Sequence, residues 1–276
     1  MNKKLIFLDI DGTLTPPGTN TPPESALIAI HRARANGHRV FLCTGRSKGM
    51  LAPVLAYGFD GAVASAGGYV FLGDEVLFDC PMTPSQLDTG MRLLGQTGVL
   101  RTIEAVDACY GDEDMSEFLA RAGAGNSELE RWRKALAREL NIRPMGEYDG
   151  RPIYKIVIMC NTADQLIPAR ETLEGEFNFV VQDVSAHNCL NGELINRKFD
   201  KGRGVRTVAE RLGFDLADTI GFGDSMNDLE MLQTVGTSVC MDNGSPRLKA
   251  ISSLICPAVE DDGLSRAFEK LGLSRT

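Results

Sequence analysis

This 276-residue chain has no cysteine pattern that would close a disulfide or hold a metal. Its seven cysteines, at positions 43, 80, 109, 160, 189, 240 and 256, are odd in number, scattered, and contain no C-x-x-C pair. Neither a disulfide framework nor a zinc knuckle is indicated, and buried thiols in a reducing compartment fit best. Positive charge is also short: 29 Lys and Arg stand against 37 Asp and Glu, for a formal net charge of -8. That balance argues against nonspecific binding to nucleic acid or to an anionic membrane. The three histidines make no metal pattern. Long hydrophobic runs are missing as well, because Asp9 cuts the run Leu5-Ile6-Phe7-Leu8 that follows the basic Asn2-Lys3-Lys4. This is far short of a signal-peptide core or a membrane span. The expectation is a cytoplasmic protein, monomeric or weakly homodimeric, with small or metal-mediated partners, no nucleic acid and no membrane.

What is present is an alternation of short apolar runs and helical spacings. The 43% hydrophobic and 24% charged fractions are those of an ordinary globular chain, long enough for one large domain or two moderate ones. Leu5 to Leu8, Arg39 to Cys43 and Gly61 to Ser65 read as strands, with a helix from about Ala26 to Ala33 between the first two. Strands alternating with helices imply a parallel sheet. The pattern then changes. Tyr69 to Leu72 and Glu75 to Phe78 flank Gly73-Asp74 as a hairpin. From about Pro84 to Asn188 the order becomes helix, short strands, helices to about Leu140, strand Ile153 to Met159, helix Ala163 to Leu173, strand Phe177 to Val181. The first pattern returns after Lys201, with strands at Thr219 to Phe222 and Thr237 to Met241 and a last helix near Leu264 to Leu271. The fold class expected is α/β, a Rossmann-like parallel-sheet core of residues 1–82 and 192–276, split by an inserted α+β module of residues 83–191.

Four segments of the split core place polar residues where strands end and helices begin, which is where ligands bind in open parallel sheets. Asp9-Ile10-Asp11-Gly12-Thr13-Leu14 puts two carboxylates at the mouth of the first strand. At about 4 Å two like charges repel by roughly 4 kcal/mol at an effective dielectric of 20. The pair therefore implies a metal ion, a shared proton or both, unless it is an exposed turn. Thr44-Gly45-Arg46 offers a hydroxyl and backbone amides suited to phosphate oxygens, or is a plain turn. Lys201-Gly202 opens a helix, an unfavourable place for a cation unless it faces carboxylates; otherwise it is a solvated surface lysine. Gly221 to Asp228 carries two acids four residues apart, Asp224 and Asp228, among glycines that let the backbone approach a ligand, or caps a helix. A calcium loop starting at Asp9 is rejected, since Asn20 stands where its bidentate glutamate belongs.

In this order and on these elements, the segments resemble the four motifs of the haloacid dehalogenase-like phosphohydrolase superfamily. The insert between Thr44 and Lys201 resembles a type IIB cap of the Cof-type subgroup. One departure is Ala66, in Ser65-Ala66-Gly67-Gly68, where that subgroup usually has asparagine. The resemblance implies an aspartyl-phosphate mechanism. Asp9 would be the nucleophile and Asp11 the acid and then base. Mg2+ would lie on Asp9, the Asp11 main-chain carbonyl and Asp224. Lys201 would neutralise charge, and Thr44, Gly45 and Asn227 would hold phosphate oxygens. Asp228 would orient Lys201. The implied substrate is a small phosphorylated metabolite, with a sugar phosphate ahead of phosphorylated cofactors. A phosphomutase and a noncatalytic phosphometabolite sensor are the alternatives. In the insert, Arg151, Tyr154, Lys155, His187 and Asn188 read as structural residues, with substrate contact as the alternative, while Asp112-Glu113-Asp114 reads as a solvated helix start.

Overall fold

Residues Leu5–Leu8 form β1 because four consecutive apolar side chains need cover on both faces, which only a central strand of a parallel sheet provides. The computed structural model describes residues 2–115, 117, 142–184 and 189–274. All four residues of β1 are fully buried. β2 (Arg39–Cys43) pairs with β1 on one side, followed by β3 (Gly61–Ala64). β4 (Tyr69–Leu72) and β5 (Glu75–Asp79) add the hairpin antiparallel at that edge. On the other side of β1 the sheet takes up, in parallel, β12 (Thr219–Gly223), β13 (Thr237–Met241) and β14 (Leu254–Cys256). The order β14-β13-β12-β1-β2-β3-β4-β5 makes β1 the strand from which the chain winds outward in both directions. The crevice at the carboxyl ends of β1 and β12 is therefore the topological switch point, the ligand position in such sheets.

Period-two alternation along β1 sorts the core. Leu5 and Phe7 pack with Phe41, Val63, Val205, Val208, Met231 and Leu248, joining the sheet to helices Lys201–Leu212, Leu229–Thr234 and Pro246–Ile251. On the opposite face Phe222 meets Phe268 of helix Gly263–Lys270 at 5.4 Å between ring centroids. Helix Glu24–Ala35 buries Ala26, Ala29, Ile30 and Ala33. β14 and helix Pro246–Ile251 were not legible as elements, being three and six residues long. The expected strand to Ser65 stops at Ala64, because Ser65 and Ala66 take left-handed backbone with φ of 49° and 57°.

The chain divides into two units: 1–46, 51–79 and 199–276, and a second of 47–50 and 80–198. The second unit holds a six-stranded sheet built from β6 (Leu100–Ala105), β7 (Cys109–Gly111), β8 (Ile142–Pro144), β9 (Ile153–Cys160), β10 (Phe177–Val184) and β11 (Cys189–Asn196), in the order β10-β11-β9-β6-β7-β8. Its return to the first unit falls after Lys198, not at 192 as the sequence suggested, because β11 stays paired with β9 and β10 through its last residues. Helices Pro84–Gln96 and Ile167–Leu173 cover one face with Leu94, Leu166, Ala169 and Leu173 over Ile103, Ile156, Ile158 and Leu194. Of the helix pair expected near 115 to 140, residues 116 and 118–140 lie outside the described residues, as do His187 and Asn188. Among the described residues, Cys43, Cys109, Cys160, Cys240 and Cys256 are buried thiols. No helix among them is long and apolar enough to cross a membrane.

Candidate active site

Asp9 is the first residue past β1, and its backbone N–H still donates to the Phe222 carbonyl at 3.0 Å, which ties it to the end of β12. Its side chain is buried at 6% exposure, a position a carboxylate holds only when paired. The partner is Lys201, whose Nζ donates to Asp9 Oδ1 at 2.7 Å, to Asp228 Oδ1 at 2.6 Å and to Asn227 Oδ1 at 3.4 Å. An ammonium has three protons: the two carboxylates take two at close range, and the third has only the loose contact to Asn227. Lys201 opens helix Lys201–Leu212, whose N-cap is Asp200, with its side chain accepting from the Arg203 N–H at 2.7 Å. Gly202 beside it has no substitute: a Cβ there would run into the Glu230 carbonyl.

Asp228 is spent on this arrangement. Its second oxygen accepts the backbone N–H groups of Asp224 at 3.1 Å and Ser225 at 3.2 Å, so it fixes both the lysine and the loop after β12. Asp224 in turn accepts from Thr13 Oγ1 at 3.1 Å and from Asn243 Nδ2 at 3.2 Å. Asn243 also donates to the Gly12 carbonyl at 3.0 Å. The first loop and the β12 loop are thus pinned together. Gly12 sits at φ +87°, and a Cβ on it would fall 2.5 Å from Asp224 Oδ2. Backbone sign and space both demand glycine there.

Burial, then the neighbouring Asp228 charge, push the Asp9 carboxyl well above the usual carboxylate range, with Lys201 pulling the other way. Asp224 is pushed up to about 7 by burial and then by Asp228. Burial opposes the charge on Lys201, but Asp228 and Asp9 outweigh it and hold the ammonium protonated far above neutrality. One lysine does not balance this site, because three carboxylates crowd it. Ligand oxygens of Asp9, Asp224 and Asp228 lie within 4.8 Å of one another. The donor set is hard oxygen throughout, which fits a hard divalent cation. With Asp228 committed to Lys201 and two N–H groups, Asp9 and Asp224 are the side chains left to hold it.

The remaining predicted residues are placed as follows. Thr44 is buried just past β2, its N–H bonded to the Val63 carbonyl at 2.8 Å and its hydroxyl accepting the Arg46 N–H at 3.2 Å. Gly45 lies between them. Asn227 is exposed, bridging Lys201 and the Ser225 hydroxyl. The strand ends at Leu8, and the chain curls so that Thr13 and Thr15 N–H groups bond the Ile10 carbonyl. Asp11 pairs with Arg46 in a two-point fork, Nε to Oδ2 at 2.9 Å and NH2 to Oδ1 at 2.8 Å. Ala66 occupies left-handed backbone, a conformation asparagine adopts more easily than alanine. Sequence reasoning missed Thr13, Asn243 and the fork. The signal for Asn243 was its place in a loop just after a parallel strand.

In the second unit, the candidate contacts have partners of their own. Arg151 pairs with Asp149 at 2.5 Å and Asp107 at 2.9 Å. Tyr154 is buried. Lys155 is buried between Glu193 at 2.8 Å and Glu104 at 3.2 Å on the sheet face away from the helices.

Residues 6–268 match the family of haloacid dehalogenase-like hydrolases. Relatives include YkrA of Bacillus subtilis strain 168, 28% identical over 280 residues and 99% of each chain. Another from the same bacterium is the 5-amino-6-(5-phospho-D-ribitylamino)uracil phosphatase YwtE, 24% identical, covering 97% of this chain and 98% of its own. Among solved structures, a subclass IIB sugar phosphatase, BT4131, superposes with a TM-score of 0.78 at 21% identity, covering 98% of this chain and all of that one. A Geobacillus kaustophilus HTA426 protein gives 0.82 at 24%, over 99% of this chain and 100% of its own.

Proposed function

Because this chain belongs to the haloacid dehalogenase-like hydrolases and is a phosphatase of that family, we propose that it hydrolyses small phosphorylated metabolites, with Mg2+, through an aspartyl-phosphate on Asp9. The observation that carries this reading is the buried lysine: Lys201 holds Asp9 at 2.7 Å and Asp228 at 2.6 Å, while Asp224 lies within metal-ligating reach. So dense a set of charges is costly unless a cation and a phosphate complete it. Asp9 attacks phosphorus in line as the ester P–O bond breaks, with Asp11 giving its proton to the leaving oxygen. Asp11 then takes a proton from the water that hydrolyses the phosphoaspartate, returning Asp9 and free phosphate. Lys201, Thr44, the Gly45 amide and Asn227 hold the nonreacting phosphate oxygens as charge builds on them. Mg2+, held by Asp9, Asp224 and the Asp11 main-chain carbonyl, would neutralise the phosphoryl oxygens during transfer.

The inserted module, 80–198, we assign as the cap that selects the substrate. Sugar and sugar-alcohol phosphates lead the candidates, supported by the ribityl phosphate in the name of YwtE and by the sugar phosphatase whose fold this chain shares. The test is phosphate release from a panel of phosphomonoesters with and without Mg2+, beside an Asp9→Asn variant. Mg2+-dependent release by the wild type and none by the variant is expected. Tight binding of one compound with no release from any would replace the enzyme by a sensor.

A further inference from the structure

Arg46 is the one residue of the Thr44-Gly45-Arg46 segment that the proposed phosphate contacts leave without a task. Its guanidinium does not turn toward a solvated surface: at 16% side-chain exposure it lies over the Asp11 carboxylate, itself at 15%. The two N–H groups reach the two carboxylate oxygens at 2.9 Å and 2.8 Å, the planar fork that fixes a carboxylate in orientation as well as position. The same guanidinium donates to Asn20 Oδ1 at 2.5 Å and to the Thr19 carbonyl at 3.2 Å, and the Gly18 N–H donates to Asp11 Oδ1 at 3.2 Å. The loop after β1 is thereby closed over the back of Asp11. Behind Arg46, its carbonyl accepts the Ser65 N–H at 2.8 Å and its N–H donates to Thr44 Oγ1. The arginine backbone is as firmly held as its side chain.

We propose that Arg46 is a positioning residue for proton transfer: its fork holds the Asp11 carboxyl where it serves the leaving oxygen and then the attacking water. This rests on the function proposed above, in which Asp11 moves those protons. A carboxyl that carries a proton on one oxygen still accepts at the other, so the guanidinium can grip Asp11 in both halves of the cycle. Arg46 has no part in forming the bond between Asp9 and phosphorus. Its loss therefore burdens esters that need a proton on the leaving oxygen and spares those that do not.

The experiment compares kcat/KM, which reports events up to phosphorylation of Asp9, for p-nitrophenyl phosphate and for an alkyl or sugar phosphate that the wild type hydrolyses. Nitrophenolate departs as a stable anion, whereas an alkoxide needs the proton. In Arg46→Gln, kcat/KM for the alkyl ester is expected to fall about 10- to 100-fold, the scale of a weakened general acid. For p-nitrophenyl phosphate it should stay within about threefold, with a burst of nitrophenolate preceding a slowed steady state. Arg46→Lys, which keeps charge but not the fork, should lie between. Asn20→Ala loosens the loop without touching the fork and should lower both substrates little and equally, which separates positioning from loop stability. An equal fall for both substrates in Arg46→Gln and Arg46→Lys, or no fall in either, overturns the proposal while leaving the phosphatase reading intact. A wild type inactive on every phosphomonoester overturns both.

Discussion

Lys201 shows how far one side chain governs the site. It is 1% exposed and bound to two carboxylates, so its removal strands buried anions facing each other. Lys201→Met should destabilise the fold by about 3 to 5 kcal/mol, the scale of breaking a buried pair, as read by urea unfolding. It should also lower kcat by at least about 100-fold, the scale of losing one donor to the developing charge. Gly12 is a second control point. Gly12→Ala forces a left-handed alanine and drives a methyl against Asp224. A loss of about 1 to 3 kcal/mol of stability is expected. It should come with a rise in the Mg2+ concentration for half-maximal activity, because the displaced side chain is a proposed metal ligand.

At the scale of elements, local rules account for much of the chain. Helix Pro84–Gln96 starts at Thr83 with a reciprocal capping box: the Gln86 N–H donates to Thr83 Oγ1 at 3.2 Å and the Thr83 N–H to Gln86 Oε1 at 2.9 Å. Proline at the first position completes the signal. Thr83→Ala should cost about 1 kcal/mol in the stability of the second unit, measured by denaturant unfolding, since the cap satisfies an N–H that has no partner inside the helix. The strands β1, β2, β12 and β13 were legible for a similar reason, as buried runs ending in glycine or acid. Short edge elements such as β14 were not, because three residues carry no period. Nor was the curl after Leu8. Alternation puts Asp9 and Asp11 on one side of a continuing strand, but the Ile10 carbonyl instead gathers the Thr13 and Thr15 N–H groups and turns Asp11 toward Arg46.

For the whole molecule, the crowding of carboxylates links stability to pH and metal. Asp224 titrates near 7 in the folded protein, far above its value in an unfolded chain, because burial and Asp228 oppose its charge. With the folded value raised, the native state binds more protons than the unfolded state between about pH 4 and 7, so stability falls as pH rises through that window. Metal-free protein should therefore lose melting temperature on going from pH 5 to pH 8. Mg2+ should restore more at pH 8 than at pH 5, reaching about 2.7 kcal/mol at a hundredfold excess over Kd. In Asp224→Asn both the pH slope and the Mg2+ increment should shrink, as followed by thermal unfolding with and without a chelator.

The sequence by itself determined the α/β class, the split of the parallel sheet by an insert, and the segments that carry chemistry, because each of these is written in runs of a few neighbouring residues. It named Asp9, Lys201, Asp224 and Asp228 from three segments spread over some 220 positions. Only the tertiary structure decided who meets whom. The order β13-β12-β1-β2 brings Asn243 to Gly12 and Asp224, and Arg46 onto Asp11. Pairings of this kind depend on which strands lie side by side, a consequence of burying apolar faces across the whole sheet that no local pattern records.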